Sequence, residues 1–166
     1  TEALLNYVEL LPEVFDPCCG DGAILEVLRD QGHKVYGLEL DAASAMEASQ
    51  IIGAPVAVGD YLDEGRGHPP HCDVVMNPPY RQAADFIRTA LDRSGPRQKV
   101  CALLRLNFLG SSRKRIDLVG VGSQLETVIV FSRRPSFTGD GKSDACEYAF
   151  FVFTKGYSGP TEVVVS

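Results

Sequence analysis

Between Glu13 and Leu106 the chain alternates two hydrophobic periods, and this alternation limits the available folds more than any other feature. "EVFD" (13–16) is strand-like, and Ala23 to Gln31 carries Ile24, Leu25, Val27 and Leu28 at helical spacing. "KVYGLEL" (34–40) is strand-like again, and an Ala-rich helical stretch (42–52) follows. Next come "PVAVGDY" (55–61), "CDVVMN" (72–77), a helix around Ala83 to Arg93, and "KVCALLRL" (99–106). Strands regularly separated by helices predict a parallel sheet covered on both faces. The last third differs: "LETVIVFS" (125–132) and "CEYAFFVFTK" (146–155) are β-rich, with no helical pattern between them. A hairpin closing the sheet is the simplest reading, and the intervening "RRPSFTGDGKSDA" is long enough for a hairpin loop to suggest a task. The expected fold is therefore α/β: a doubly wound, mostly parallel seven-stranded sheet with a C-terminal antiparallel hairpin.

At 166 residues and 45% hydrophobic, the chain predicts one domain over 1–166, with no room for a separate target-recognition domain. No run approaches the roughly 18 apolar residues of a membrane span, and "TEALLNYVELL" lacks the basic start of a signal peptide. These features predict a soluble, cytoplasmic protein with no membrane partner. Cys18, Cys19, Cys72, Cys101 and Cys146 form an odd set with no CxxC pair, so packed thiols are expected instead of disulfides or zinc. His68, His71 and Cys72 lack a fourth ligand at a usual spacing, and no metal is expected.

The net charge of −6 argues against a generic nucleic-acid binder until it is divided along the chain. Residues 1–80 hold three basic and fourteen acidic side chains, whereas 81–115 hold nine basic and two acidic. That basic segment reads either as a solvated helix surface or as a rim that contacts phosphates.

In a doubly wound sheet, ligands lie beyond the carboxyl ends of the strands, near the switch in strand order. "DPCCGDGAIL" (16–25) follows the first strand there, and Gly20 and Gly22 permit a tight turn. The turn alone fits a nicotinamide dinucleotide, another nucleotide or no ligand. Its GDG spacing lacks the third glycine of GxGxxG, which disfavours a pyrophosphate. Glu39 ends the second strand and Asp60 the third, followed by Tyr61. Carboxylates at three successive strand tips suit a cationic, hydroxyl-rich ligand: an ammonium for Asp16, a ribose for Glu39 and an adenine amino group for Asp60. S-adenosyl-L-methionine has these groups. Asp41 reads as the cap of the next helix.

"NPPY" (77–80) falls at the tip of the fourth strand, across the switch point from the glycine turn. With "DPCCGDG", "YGLELD", "VGDYLD" and "VVMNPPY" in that order, residues 14–80 closely resemble the N6-adenine branch of the S-adenosylmethionine-dependent amino-methyltransferases. "LLRLNFLGSSRKR" and "RRPSFTGDGKSDACEYAFFVF" are similar to the small adenine methyltransferases of phages and prophages. The resemblance implies a class I, Rossmann-like methyltransferase fold. It implies that Asp16, Gly20, Gly22, Glu39 and Asp60 bind the cofactor, with Pro17, Cys18, Leu40, Tyr61 and Asn77 beside them. It also implies a catalytic loop of Asn77, Pro78, Pro79 and Tyr80, acting on adenine in DNA. In related enzymes an N-terminal helix touches the cofactor; here it would occupy residues 1–11.

The chemistry gives the loop a reason. The lone pair of an exocyclic adenine amine is delocalised into the ring. Two fixed acceptors, the Asn77 side-chain oxygen and the Pro78 carbonyl, can take its N–H bonds and turn that lone pair toward an electrophile. The prolines stiffen the loop and bring no competing donor, and Tyr80 offers a stacking surface for a flipped base. Cys18 and Cys19 read as packing residues. With no large recognition region, target selection is expected from a protein partner or from Arg81, Arg113, Lys114, Arg115, Arg133, Arg134 and Phe137, although Phe137 reads equally well as core. RNA methylation, glutamine methylation of a protein, a non-catalytic binding module and a nicotinamide-dependent oxidoreductase are the other readings of the sequence.

Overall fold

The computed structural model describes residues 1–63, 68–110, 113–132 and 146–166. In chain order the elements are α1 (Glu2–Leu5), β1 (Glu13–Asp16), α2 (Ala23–Asp30), β2 (Lys34–Glu39), α3 (Ala42–Ile52), β3 (Val56–Val58), β4 (Asp73–Met76), α4 (Ala83–Arg93) and β5 (Lys99–Arg105). Two short 3-10 turns (Leu106–Leu109 and Arg113–Arg115), α5 (Ile116–Val119), β6 (Leu125–Val130), β7 (Tyr148–Thr154) and β8 (Glu162–Val165) follow.

One sheet runs β3-β2-β1-β4-β5-β7-β6-β8. The pairs from β3 across to β5 are parallel, and β7 lies antiparallel between β5 and β6. The predicted α/β architecture and C-terminal hairpin are present. The sheet has eight strands instead of the seven expected, because the short run "EVVV" adds to the outside of β6, parallel to it, in the register Thr127↔Glu162. The N-terminal helix is also shorter than the eleven residues expected. It stops at Leu5, which lets the following chain turn Val8 and Leu10 into the core.

Strand periodicity places the core on both faces of the sheet. Val74, Met76, Val100, Ala102, Leu104, Phe151 and Phe153 face one layer, joined by Phe86, Ile87 and Leu91 of α4. Val75, Cys101, Leu103, Phe150 and Val152 face the other, with Leu4 and Leu28. Every residue of β4 is buried, as a central parallel strand between two layers requires.

Asp73 opens β4 as a buried carboxylate that accepts from Leu11 N (2.8 Å) and Lys99 N (2.7 Å), joining β4 to its flanking segments. Burial raises its pKa above the ordinary carboxylate value, against those two donors. Asp41 caps α3 as expected, accepting from Ser44 N at 2.9 Å. Among the described residues, no helix is long and apolar enough to cross a membrane.

Chain direction sets the functional edge. After β1 the chain goes to β2 and β3, then returns to β4 on the other side of β1, so a crevice opens between the carboxyl ends of β1 and β4. Because β7 is reversed, its first residue, Tyr148, lies opposite Arg105 at the end of β5, at this same edge. β6 also ends there, with Val130 opposite Ala149.

Candidate functional site

At this edge lies a cleft of about 560 Å³. Its walls include Pro17, Cys18, Glu39, Leu40, Asp60, Tyr61 and Asn77 to Tyr80, so most of the residues singled out in the sequence come together. Asp16, Gly20 and Gly22 are not on its surface; they shape the loop behind it.

That loop is built around two left-handed glycines. Gly20 (φ +55°) and Gly22 (φ +91°) turn the chain from β1 into α2, and Gly22 also approaches α3 so closely that a Cβ would lie 3.1 Å from Ala48 Cα. The Gly20 N–H donates to Glu39 Oε2 at 2.8 Å, tying the loop to the tip of β2. Glu39 Oε1 accepts from Leu40 N (2.8 Å) and Asp41 N (3.0 Å). Three of a carboxylate's roughly four acceptor positions are thus used, which leaves about one for a ligand hydroxyl.

Asp16 is 1% exposed and accepts from Cys18 N at 3.0 Å. Burial pushes its pKa up to about 7, against the Cys18 donor, and the Glu39 charge adds to the rise. Burial also raises the Cys18 and Cys19 thiols, Cys19 to about 12, with the Asp16 charge second. Neither is a ready nucleophile, which agrees with a packing role. Asp60 lines the cleft while its Oδ1 caps Leu62 N at 2.8 Å.

Tyr61 lines the cleft from a largely buried position. Its side chain is 1% exposed and packs in the core against Phe15 and Phe86, with the Arg93 guanidinium 4.8 Å from its ring centroid. Its hydroxyl meets His68 Nδ1 at 3.0 Å. Burial, reinforced by Arg93, lowers the His68 pKa to about 4. Tyr61 therefore supports the cleft wall from inside.

The NPPY segment holds two acceptors ready. Pro79 O accepts from Gln82 N at 2.9 Å, which turns the chain into α4. Among the described residues, no group donates to Pro78 O or to the exposed Asn77 side chain. Tyr80 is 42% exposed, its ring 6.3 Å from that of Tyr148 and 4.9 Å from the Arg105 guanidinium. Arg105 Nε donates to Tyr148 Oη at 3.4 Å.

Gly59, Gln82, Phe86, Arg105 and Tyr148 also line the cleft and were not anticipated. The strand-tip rule that selected Glu39 and Asp60 also reaches Arg105, the last residue of β5. Gln82 and Phe86 lie one helical turn apart just after NPPY.

The basic segment divides. Arg88 donates to Asp117 (2.8 and 2.9 Å), Asp85 (3.2 Å) and Lys114 O (2.6 Å). Arg93 donates to the carbonyls of Tyr61 (3.0 Å) and Asp63 (3.3 Å). These two arginines are structural. Arg81, Lys114 and Arg115, together with Arg88 and Asp85, line a second cleft of about 380 Å³, of which Tyr80 is also a wall. Arg113 is exposed outside it. Arg133, Arg134 and Phe137 lie outside the described residues. Among the described residues, no group of three His, Cys, Asp or Glu side chains is placed to hold a metal.

No family model matches the chain, and a comparison with curated proteins finds none that does. Solved structures do match. The type IIG restriction endonuclease BpuSI superposes with a TM-score of 0.74 at 17% identity, over 99% of this chain and 25% of that one. The M protein of the type I restriction enzyme EcoKI gives 0.65 at 17% identity, over 87% of this chain and 40% of that one. A TehB-like S-adenosylmethionine-dependent methyltransferase from Corynebacterium glutamicum gives 0.64 at 20% identity, over 93% of this chain and 85% of that one. The fold is the Rossmann-like fold of class I methyltransferases. The chain spans well under two thirds of the two restriction proteins, at 25% and 40%.

Proposed function

We propose that this chain transfers a methyl group from S-adenosyl-L-methionine to the exocyclic N6 amine of adenine in DNA. The observation that carries the reading is the pair of open acceptors, Asn77 Oδ1 and Pro78 O, at the tip of β4 in a cleft that also holds Glu39 and Asp60. An aromatic amine has two N–H bonds to give, and two acceptors fixed by a proline pair would take both. That arrangement turns the nitrogen lone pair out of the ring plane without any group having to move.

The chemistry of the donor set fits the cofactor. Glu39 keeps about one acceptor position for a ribose hydroxyl, and Asp60 adds a carboxylate beside the apolar wall of Leu40 and Pro17. When bound, the cofactor supplies the electrophilic methyl group. Tyr80, half-exposed next to the acceptors, supplies a stacking surface for an unpaired base. The resemblance of the later stretches to the adenine methyltransferases of phages favours DNA over RNA. The small recognition surface favours a partner protein, or further chain, that selects the target.

The test is incubation with labelled cofactor and adenine-containing DNA or RNA, followed by digestion to nucleosides. N6-methyladenine is expected from DNA, and Asn77→Ala should reduce it about 10²- to 10³-fold, the cost of losing one fixed acceptor. Absence of N6-methyladenine above the Asn77→Ala level in every DNA substrate would refute the reading.

A further inference from the structure

We infer that Gln82 reads the edge of the target base: its side-chain amide donates to a ring nitrogen beside the amine that is methylated, which makes Gln82 a specificity-determining residue of the cleft. The inference rests on the proposed adenine methylation for the identity of the base. The placement of Gln82 comes from the structure.

Gln82 lines the same cleft as Asn77 and Pro78 and lies just beyond Tyr80 in the chain. Its backbone is held on both sides. The N–H donates to Pro79 O at 2.9 Å, and the carbonyl accepts from Asp85 N (2.9 Å) and Phe86 N (3.0 Å) as α4 begins. The side chain is exposed and does not cap the helix that follows it. Among the described residues, no hydrogen bond engages its amide. A donor group that the fold does not use therefore sits on a fixed backbone, at the end of the loop that carries the two open acceptors.

Adenine has a use for such a donor. Its N6 amine is flanked by two ring nitrogens, N1 and N7, and both are acceptors. Asn77 Oδ1 and Pro78 O can take the N–H bonds of the amine but offer nothing to these nitrogens, and an acceptor drawn out of water without a partner weakens binding. A stacked Tyr80 ring covers the face of the base, so it does not meet the edge. Arg105 and Tyr148 are bonded to each other, and Arg105 also packs against the Tyr80 ring. Phe86, buried one turn further along α4, makes the wall next to Gln82 apolar. A neutral donor discriminates best on such a wall, because little water competes for the same acceptor.

The experiment measures kcat/KM for methylation, with labelled cofactor, on oligonucleotides whose single target base is adenine, 1-deazaadenine or 7-deazaadenine, for wild type, Gln82→Leu and Gln82→Glu. Gln82→Leu should lose about 3- to 10-fold on adenine, the worth of one neutral hydrogen bond. On the analogue that lacks the nitrogen Gln82 meets, wild type and Gln82→Leu should become equal; on the other analogue the difference should persist. Taking the ratio of wild type to variant on each substrate cancels the change that each analogue makes to the amine itself. Gln82→Glu should lose more than Gln82→Leu, because it sets an acceptor against an acceptor, although a carboxylate suits the start of α4 and leaves the fold intact. A variant that merely folds less well loses equally on all substrates, and that result would overturn the inference. No loss on adenine, or a Gln82→Glu protein as active as wild type, would overturn it too. Wild-type turnover on adenine separates the two proposals: its absence defeats the proposed reaction and this inference with it, whereas turnover without the analogue-dependent difference defeats the role of Gln82 alone.

Discussion

Asp16→Asn tests whether the buried carboxyl behind the glycine turn is neutral in the folded protein. Burial holds its pKa at about 7, against an ordinary 3.8. The folded state therefore keeps the proton over a range in which the unfolded chain has lost it, and stability falls as pH rises from about 4 to 7. Each pKa unit corresponds to about 1.4 kcal/mol, so the full window is worth up to about 4 kcal/mol. Asparagine keeps an oxygen for the Cys18 N–H and cannot ionise. Relative to wild type, the variant should gain stability steadily between pH 4 and 7 and then level off. Denaturant midpoints for both proteins at four pH values measure this, and taking their difference cancels every other titrating group. A difference that stays constant with pH would refute the reasoning. The same linkage predicts that a cationic ligand placed near Asp16 releases a proton on binding near pH 7, detectable by calorimetry in buffers of different ionisation enthalpy.

Gly22→Ala should cost about 2–4 kcal/mol, because φ is +91° and the new Cβ meets the Ala48 backbone at 3.1 Å. Gly20→Ala should cost only about 1–2 kcal/mol, since its φ is +55° with nothing within 4 Å; equal losses in thermal melts would contradict this account. His68 titrates with the opposite sign to Asp16: its folded pKa of about 4 lies below the ordinary 6.5, so stability is lost as pH falls through that window. His68→Gln should abolish that acid-side loss, at most about 3 kcal/mol, in the same denaturant series.

The sequence was most legible where backbone chemistry and position coincide. Alternating periods predicted β1 to β5 with their helices, and each strand tip could then be searched for side chains able to meet a ligand. Asn77 and Pro78 were singled out because two adjacent prolines end a strand abruptly there. Arg105 and Tyr148 were missed because they meet only through the antiparallel register of β5 and β7, 43 residues apart. β8 was missed because four residues carry too little periodicity to stand out, and its partner lies well upstream. Counting charge overstated the basic rim, because Arg88 and Arg93 spend their donors on Asp117, Asp85 and backbone carbonyls.

The reversed direction of β7 has a consequence for how such a protein can change. β6 ends at the ligand edge and β7 begins there, so any chain inserted between Ser132 and Cys146 departs from that edge and returns to it. The strand end before it is held by backbone bonds, Phe131 N to Tyr148 O at 3.0 Å and Ser132 N to Ser166 O at 2.9 Å. The hairpin therefore works as a socket. A segment of any length placed there starts and ends beside the ligand edge, while Asn77 and Pro78 stay on a strand that it does not interrupt.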